Sequence, residues 1–166
     1  MTTYTYLAPK SNNEIQDRLV QWFNDNLKDP YEQSTGKRRS GFVFGDDFKL
    51  VIPFPRVHVA AGDVAREKVT VTPKTTYLEQ IEHTFMIYYY NQKSHRFIFD
   101  NGAKLSDEKQ CRKYLEYIQI RLKANLDNFG TYFHKAVFGT IPRPTFNTKT
   151  STWVSMIPLT VLTYQR

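Results

Sequence analysis

Apolar side chains recur along this chain with two periods, one helical and one alternating, and each period predicts an element. Ser11-Asn12-Asn13-Glu14 matches a capping box, a hydroxyl three residues ahead of a carboxylate. Ile15, Leu19, Trp22, Phe23 and Leu27 follow at helical spacing as one stripe, so an amphipathic helix runs from that cap to a stop at Asp29-Pro30. A second stripe, Cys111, Tyr114, Leu115, Ile118, Leu122 and Leu126, predicts another helix. Ser106 caps it, Asp107 and Glu108 face its positive end, and Phe129-Gly130 closes it.

The alternating segments are strands. Residues 42–44, 48–52, 57–59 and 68–72 are short and β-rich, with Gly45-Asp46-Asp47 as a turn. Pro53 and Pro55 confine their neighbours to an edge, a bend or a strand start. Residues 60–67 read as a loop or a turn of helix, and 31–41 as a polar connection. Residues 79–91 make a long strand with His83, Phe85, Ile87 and Tyr89 on one face and Thr84, Met86, Tyr88 and Tyr90 on the other. Residues 96–99 return as its hairpin partner. Residues 1–10 read as an extended arm, and 131–152, without a clear period, as a long loop or arm that contacts a partner. Residues 153–165 then form a closing strand whose two faces are both largely apolar.

Two amphipathic helices cover only one face of a sheet. The expected fold is therefore an α+β domain, a mixed or antiparallel sheet with both helices on one side. The other side presents Met86, Tyr88, Tyr90 and half of the closing strand, and an apolar face of that extent is unusual on a monomer. A neighbouring copy in a ring or a partner subunit covers it, or the long loop folds back over it. The candidate subunit interface is Met86, Tyr88, Tyr90, Trp153, Met156, Leu162 and Tyr164.

Composition narrows the function. The 166 residues are enough for one domain with a real core, and 40% hydrophobic content fits a globular chain rather than a disordered one. No apolar run approaches the roughly 20 residues of a membrane span, and the N-terminus lacks a signal-peptide pattern. A soluble chain that stays inside the cell is expected. A single cysteine, Cys111, excludes an internal disulfide and a thiolate metal cluster. The net charge of +7 attracts polyanions, and its densest cluster is Lys37-Arg38-Arg39 in a Ser/Gly-rich loop.

Motifs for catalysis are few. Gly36-Lys37 is followed by Arg38 where a phosphate-binding loop needs Ser or Thr. His58, His83, His95 and His134 match no zinc spacing, and His58 and His83 alternate with apolar residues as strand positions do. Asp47-Phe48-Lys49, with Asp46 or Asp63, is an acid-x-lysine element of the kind a Mg²⁺-dependent nuclease uses, although a turn also explains Asp46-Asp47. Tyr88-Tyr89-Tyr90 with Lys93 and Arg96 mixes stacking surfaces and cations as nucleic-acid binders do, but only Tyr88 and Tyr90 share a face.

In order and character, residues 11–166 resemble the tail terminator, or tail completion, proteins of long-tailed viruses. The likeness rests on the capped helix, the Pro-punctuated IPFPRVHV, the strand IEHTFMIYYY, a helix rich in Tyr, Leu and Ile, and the closing WVSMIPLTVLTYQ. It implies a homohexameric ring that caps the head-proximal end of the tail tube, with neither enzymatic activity nor a cofactor. Its implied partners are copies of itself, the tail tube protein and a head-completion or neck protein, with no membrane. It implies residence in the tail or neck of a virion assembled in the host cytoplasm. DNA passing through the ring would make nonspecific contact, with Lys37, Arg38 and Arg39 as lumen candidates. A basic nucleic-acid-binding protein and a metal-dependent nuclease are the alternatives.

Overall fold

The computed structural model describes residues 10–46, 53–70, 77–92 and 107–165. Helix α1 (Asn12–Asn26) opens on the expected capping box: Ser11 Oγ accepts the Glu14 N–H at 3.1 Å, and the Glu14 carboxylate accepts the Ser11 N–H at 2.8 Å. Asp29 and Pro30 do more than stop it. Asp29 caps a short helix α2 (Pro30–Thr35) by accepting the Tyr31 N–H, and Pro30 sits at the first turn, where its missing N–H costs nothing. The polar connection expected at 31–41 is thus partly helical.

The sheet comprises β1 (Val43–Phe44), β2 (Arg56–Thr70), β3 (Tyr77–Gln92), β4 (Lys135–Phe138), β5 (Thr145–Asn147) and β6 (Thr152–Gln165). Helix α3 (Asp107–Ala124) lies between β3 and β4 in the chain. Strand order is β1-β2-β3-β6-β4, with β5 also on β6. Among the described residues only the β1–β2 pair is parallel, so the sheet is mixed and the fold is α+β as expected. Ile15, Leu19 and Phe23 of α1 and Tyr114, Leu115, Ile118 and Leu122 of α3 share one core with Val57, Val59, Phe85, Ile87, Tyr89, Ile157, Leu159 and Val161. Both helices therefore cover the odd-numbered face of β3 and β6.

Two segments differ from the sequence reading. Residues 60–67 belong to one continuous strand, β2, whose register shifts between Ala61 and Val64. The 131–152 segment supplies β4 and β5, which pair with the outer edge of β6 instead of folding over its face. Both edges of β3 are taken, by β2 and by β6. Strand 48–52, the hairpin partner 96–99, the Ser106 cap and most of the N-terminal arm lie outside the described residues.

Candidate docking face

On the sheet face opposite the helices, register brings side chains into rows. Arg56 pairs with Tyr90, and Tyr90 with Val154; His58 pairs with Tyr88, and Tyr88 with Met156; Ala60 pairs with Met86, and Met86 with Pro158. Because side chains alternate along a strand, all of these point to one side. All but the buried His58 are partly exposed, and no helix of the described residues lies over them.

The rows near β1 form a stack of rings and one cation. The His58 imidazole is parallel to Phe44, with centroids 4.6 Å apart, and stacks on Tyr88 at 5.8 Å; Tyr88 in turn stacks on Tyr90 at 6.3 Å. The Arg56 guanidinium sits over three rings, 4.4 Å from Phe54, 5.1 Å from Tyr90 and 5.5 Å from Phe44. Burial lowers the Arg56 pKa, with Tyr90 opposing the shift. Burial also lowers that of His58, although Asp46, 3.5 Å from Nε2, pulls the other way. A neutral imidazole between rings gives a flat, polarisable surface suited to packing rather than to proton transfer.

The sequence-predicted interface divides across the sheet. Met86, Tyr88, Tyr90 and Met156 come together in neighbouring rows. Tyr164 shares their face further along; its N–H donates to His134 Nδ1 at 3.2 Å and its ring lies 5.5 Å from that imidazole. Leu162 has the right parity but is only 9% exposed, leaving little side chain for a partner. Trp153 is a correction. One residue of offset reverses the face. Trp153 packs beside the helix-covered core, 5.3 Å from Phe146, and its carbonyl accepts the Cys111 S–H at 3.4 Å.

The basic cluster divides too. Lys37 and Arg38 are exposed beyond α2, but Arg39 turns inward. Its Nε and Nη2 donate to the two oxygens of Asp29 at 2.6 and 2.8 Å, Nη1 donates to the Pro53 carbonyl at 2.8 Å, and Nη2 also reaches the Pro55 carbonyl. Tyr31 and Phe42 flank the guanidinium at 5.0 and 5.7 Å. Its charge is spent holding α2 to the chain ahead of β2, which removes Arg39 as a DNA-facing cation. The neighbouring open cleft, about 590 Å³, sets Asp25, Asp29 and Glu32 among Lys28, Arg38 and Arg39, so it is no basic funnel.

Chemistry elsewhere is sparse. No group of three His, Cys, Asp or Glu suited to a metal occurs among the described residues; Asp47 and Lys49 lie outside them. Cys111 is fully buried, and burial pushes its thiol up to about 12, so it is not a ready thiolate. His83 lies under the N-terminus of α1 with Nδ1 3.3 Å from Asn12 Oδ1. Sequence reasoning missed Phe44, Phe54 and Arg56 as members of the ring stack. Reading 56–70 as one strand would have set Arg56 and His58 on one face, because their spacing is two. No described helix is long and apolar enough to cross a membrane. No protein-family model matches the chain and no curated protein matches its sequence.

Proposed function

We propose that this chain is a structural virion protein whose copies assemble into a ring, six in the simplest case, that terminates a tail tube and joins tail to head or neck. The observation that carries the reading is the division of the sheet. Both long helices pack on the odd face, and Met86, Tyr88, Tyr90 and Met156 stand together on the other. Half-buried aromatic and thioether side chains in adjacent rows are the composition of a contact surface, where Tyr and Met are enriched. The ring's other contacts are the tube protein and a head-completion or neck protein, in a virion assembled in the host cytoplasm. It works by contact, with neither catalysis nor a cofactor.

Native mass spectrometry tests this. A discrete assembly of about six copies is expected. Tyr88→Glu with Met156→Glu reduces it to monomers of unchanged circular dichroism, since each charge placed in a packed interface costs several kcal/mol. A wild-type chain that stays monomeric at assembly concentrations refutes the ring.

A second reading has one observation in its favour. Tyr90, Tyr88 and His58 form a near-parallel stack beside Arg56, the mixture used to hold single-stranded nucleic acid. It predicts salt-sensitive DNA retention that Tyr88→Ala weakens at constant oligomeric mass.

A further inference from the structure

A sheet grows by hydrogen bonding at its edges, and an unguarded edge pairs with whatever strand arrives. β1 covers only Val57 and His58 of the β2 edge. Where β1 ends, α1 takes over with side-chain amides. Gln16 Nε2 donates to the Val59 carbonyl at 2.8 Å in a buried contact, and Asn12 Nδ2 donates to the Gly62 carbonyl at 3.1 Å. At the other end of the helix, Asn24 Oδ1 accepts the N–H groups of Phe42 and Val43, each at 3.0 Å, and Nδ2 donates to the Val43 carbonyl at 2.8 Å.

The geometry explains the spacing. Four helical residues rise about 6 Å and two strand residues advance about 6.6 Å, so amides four apart on a helix meet alternate rungs of a strand beside it. Val59 and Gly62 are three apart because the irregularity after Ala61 adds a residue. Gly45 belongs to the same device: a Cβ there would lie 3.3 Å from both Cδ and Nε2 of Gln16, so glycine leaves the amide its place.

Beyond Gly62, among the described residues, the protection changes to charge. Two β2 edges meeting antiparallel about a two-fold axis must oppose residues of equal parity. The registers centred on this stretch therefore set Arg66 against Arg66 or Glu67 against Glu67, which is destabilising. Arg66 instead meets Glu79 of its own β3 at 3.7 Å.

We propose that α1 is an edge guard: the amides of Asn12 and Gln16 act as a surrogate strand that finishes the ladder β1 begins on β2, the Asn24 amide closes the outer edge of β1, and together they keep a second copy from adding a strand to β2. The test uses the full chain carrying Asn12→Ala and Gln16→Met, which removes two donors with little change of volume at residue 16. Val20→Ala is the control, because it loosens the packing of the same helix and keeps every amide. Sedimentation velocity reads mass beyond the discrete wild-type size, whether that size is one copy or six, so the ring reading can fail without touching this one. The double variant is expected to exceed the wild-type mass from about tenfold lower concentration than wild type, doubling it if the wild type is one copy and cross-linking rings without limit if it is six, with an infrared signature of intermolecular strand pairing. Adding Val64→Lys restores the wild-type size, which it would not do for a chain that had merely misfolded. A double variant with the wild-type size distribution, growth that Val64→Lys does not stop, or equal growth by Val20→Ala overturns the proposal.

Discussion

Arg39→Ala separates a structural cation from a DNA-facing one. In the native chain Asp29 is 8% exposed and its carboxylate has three N–H donors, two from Arg39 and one from Tyr31. Truncating Arg39 leaves that carboxylate buried with one donor, and also strips the Pro53 and Pro55 carbonyls of their shared partner. Breaking a buried ion pair from one side costs about 3–5 kcal/mol. The retained Tyr31 N–H argues for the lower end, about 3 kcal/mol. With a urea slope of about 2 kcal/mol/M, the unfolding midpoint falls by about 1.5 M. Arg39→Lys keeps the charge but lacks the fork, and recovers roughly half of the loss. Asp29→Asn combined with Arg39→Ala costs less than the sum of the two, by about 1–3 kcal/mol, since the amide needs no counterion and still caps Tyr31. Trp22, packed 5.5 Å from Phe129, reports unfolding by fluorescence. All variants are compared at one protein concentration because subunit association shifts apparent stability. An Arg39→Ala chain within about 0.5 kcal/mol of wild type that binds DNA more weakly would refute the clamp and restore Arg39 to a channel.

Two further perturbations probe the sheet. His58 and His83 both have pKa values lowered from the ordinary 6.5, each first by burial, with Arg66 adding to the shift at His83. The unfolded chain then binds protons more readily, so their contribution is complete above pH 6.5, falls as pH drops through that value and levels off below the folded pKa. His83→Gln should flatten the fall in urea midpoint over that window, and an unchanged slope contradicts the assignment. Gly139→Ala puts a Cβ 2.9 Å from Cγ of Pro158 and 3.2 Å from two further atoms of that rigid ring, at the point where the Gly139 N–H donates to the Pro158 carbonyl. A loss of about 1–3 kcal/mol is expected, while Gly130→Ala, whose nearest contact is 3.4 Å, stays near neutral; equal midpoints refute the clash.

The helices were legible because their burial is one-sided. Ile15, Leu19, Phe23, Leu115, Ile118 and Leu122 are all fully buried, as their spacing requires. β3 was legible for the same reason at period two: Ile81, His83, Phe85, Ile87 and Tyr89 are buried and their neighbours are half-buried. Residues 60–67 were not, since Ala-Ala-Gly-Asp-Val-Ala-Arg-Glu carries little strand propensity. They extend because β3 pairs with them on both sides of the irregularity between Ala61 and Val64, a tertiary effect that outweighs local preference. β4 and β5, at four and three residues, are too short to show a period and owe their pairing to β6. Arg39 looked like one of three loop cations because charge counting does not see Asp29 ten residues upstream. The helix-capping signal of Asp29-Pro30 was readable, though its bond to Arg39 was not. Trp153 was misassigned against evidence in the chain itself, since its odd number sets it opposite Met156.

A sheet has two faces and two outer edges. α1 and α3 occupy one face with a close-packed core, and β6 is covered by β4 and β5, which end the sheet there as edge strands of only four and three residues, too short to invite pairing. β1 and the amides of α1 occupy the β2 edge as far as Gly62, after which Arg66 and Glu67 oppose self-pairing. Among the described residues that leaves the rows of Met86, Tyr88, Tyr90 and Met156. Edge pairing is poorly selective and cross-links any particle that carries several free edges, whereas a face packs against a partner only where shapes match, so blocking edges and leaving a face favours a discrete assembly over a network. The edge guard and the ring therefore make a joint prediction. In a chain that lacks the amides of residues 12 and 16, Tyr88→Glu should abolish the discrete ring and leave strand-paired dimers. Loss of both together would mean that one surface serves both contacts, and would place the subunit interface on the β2 edge instead.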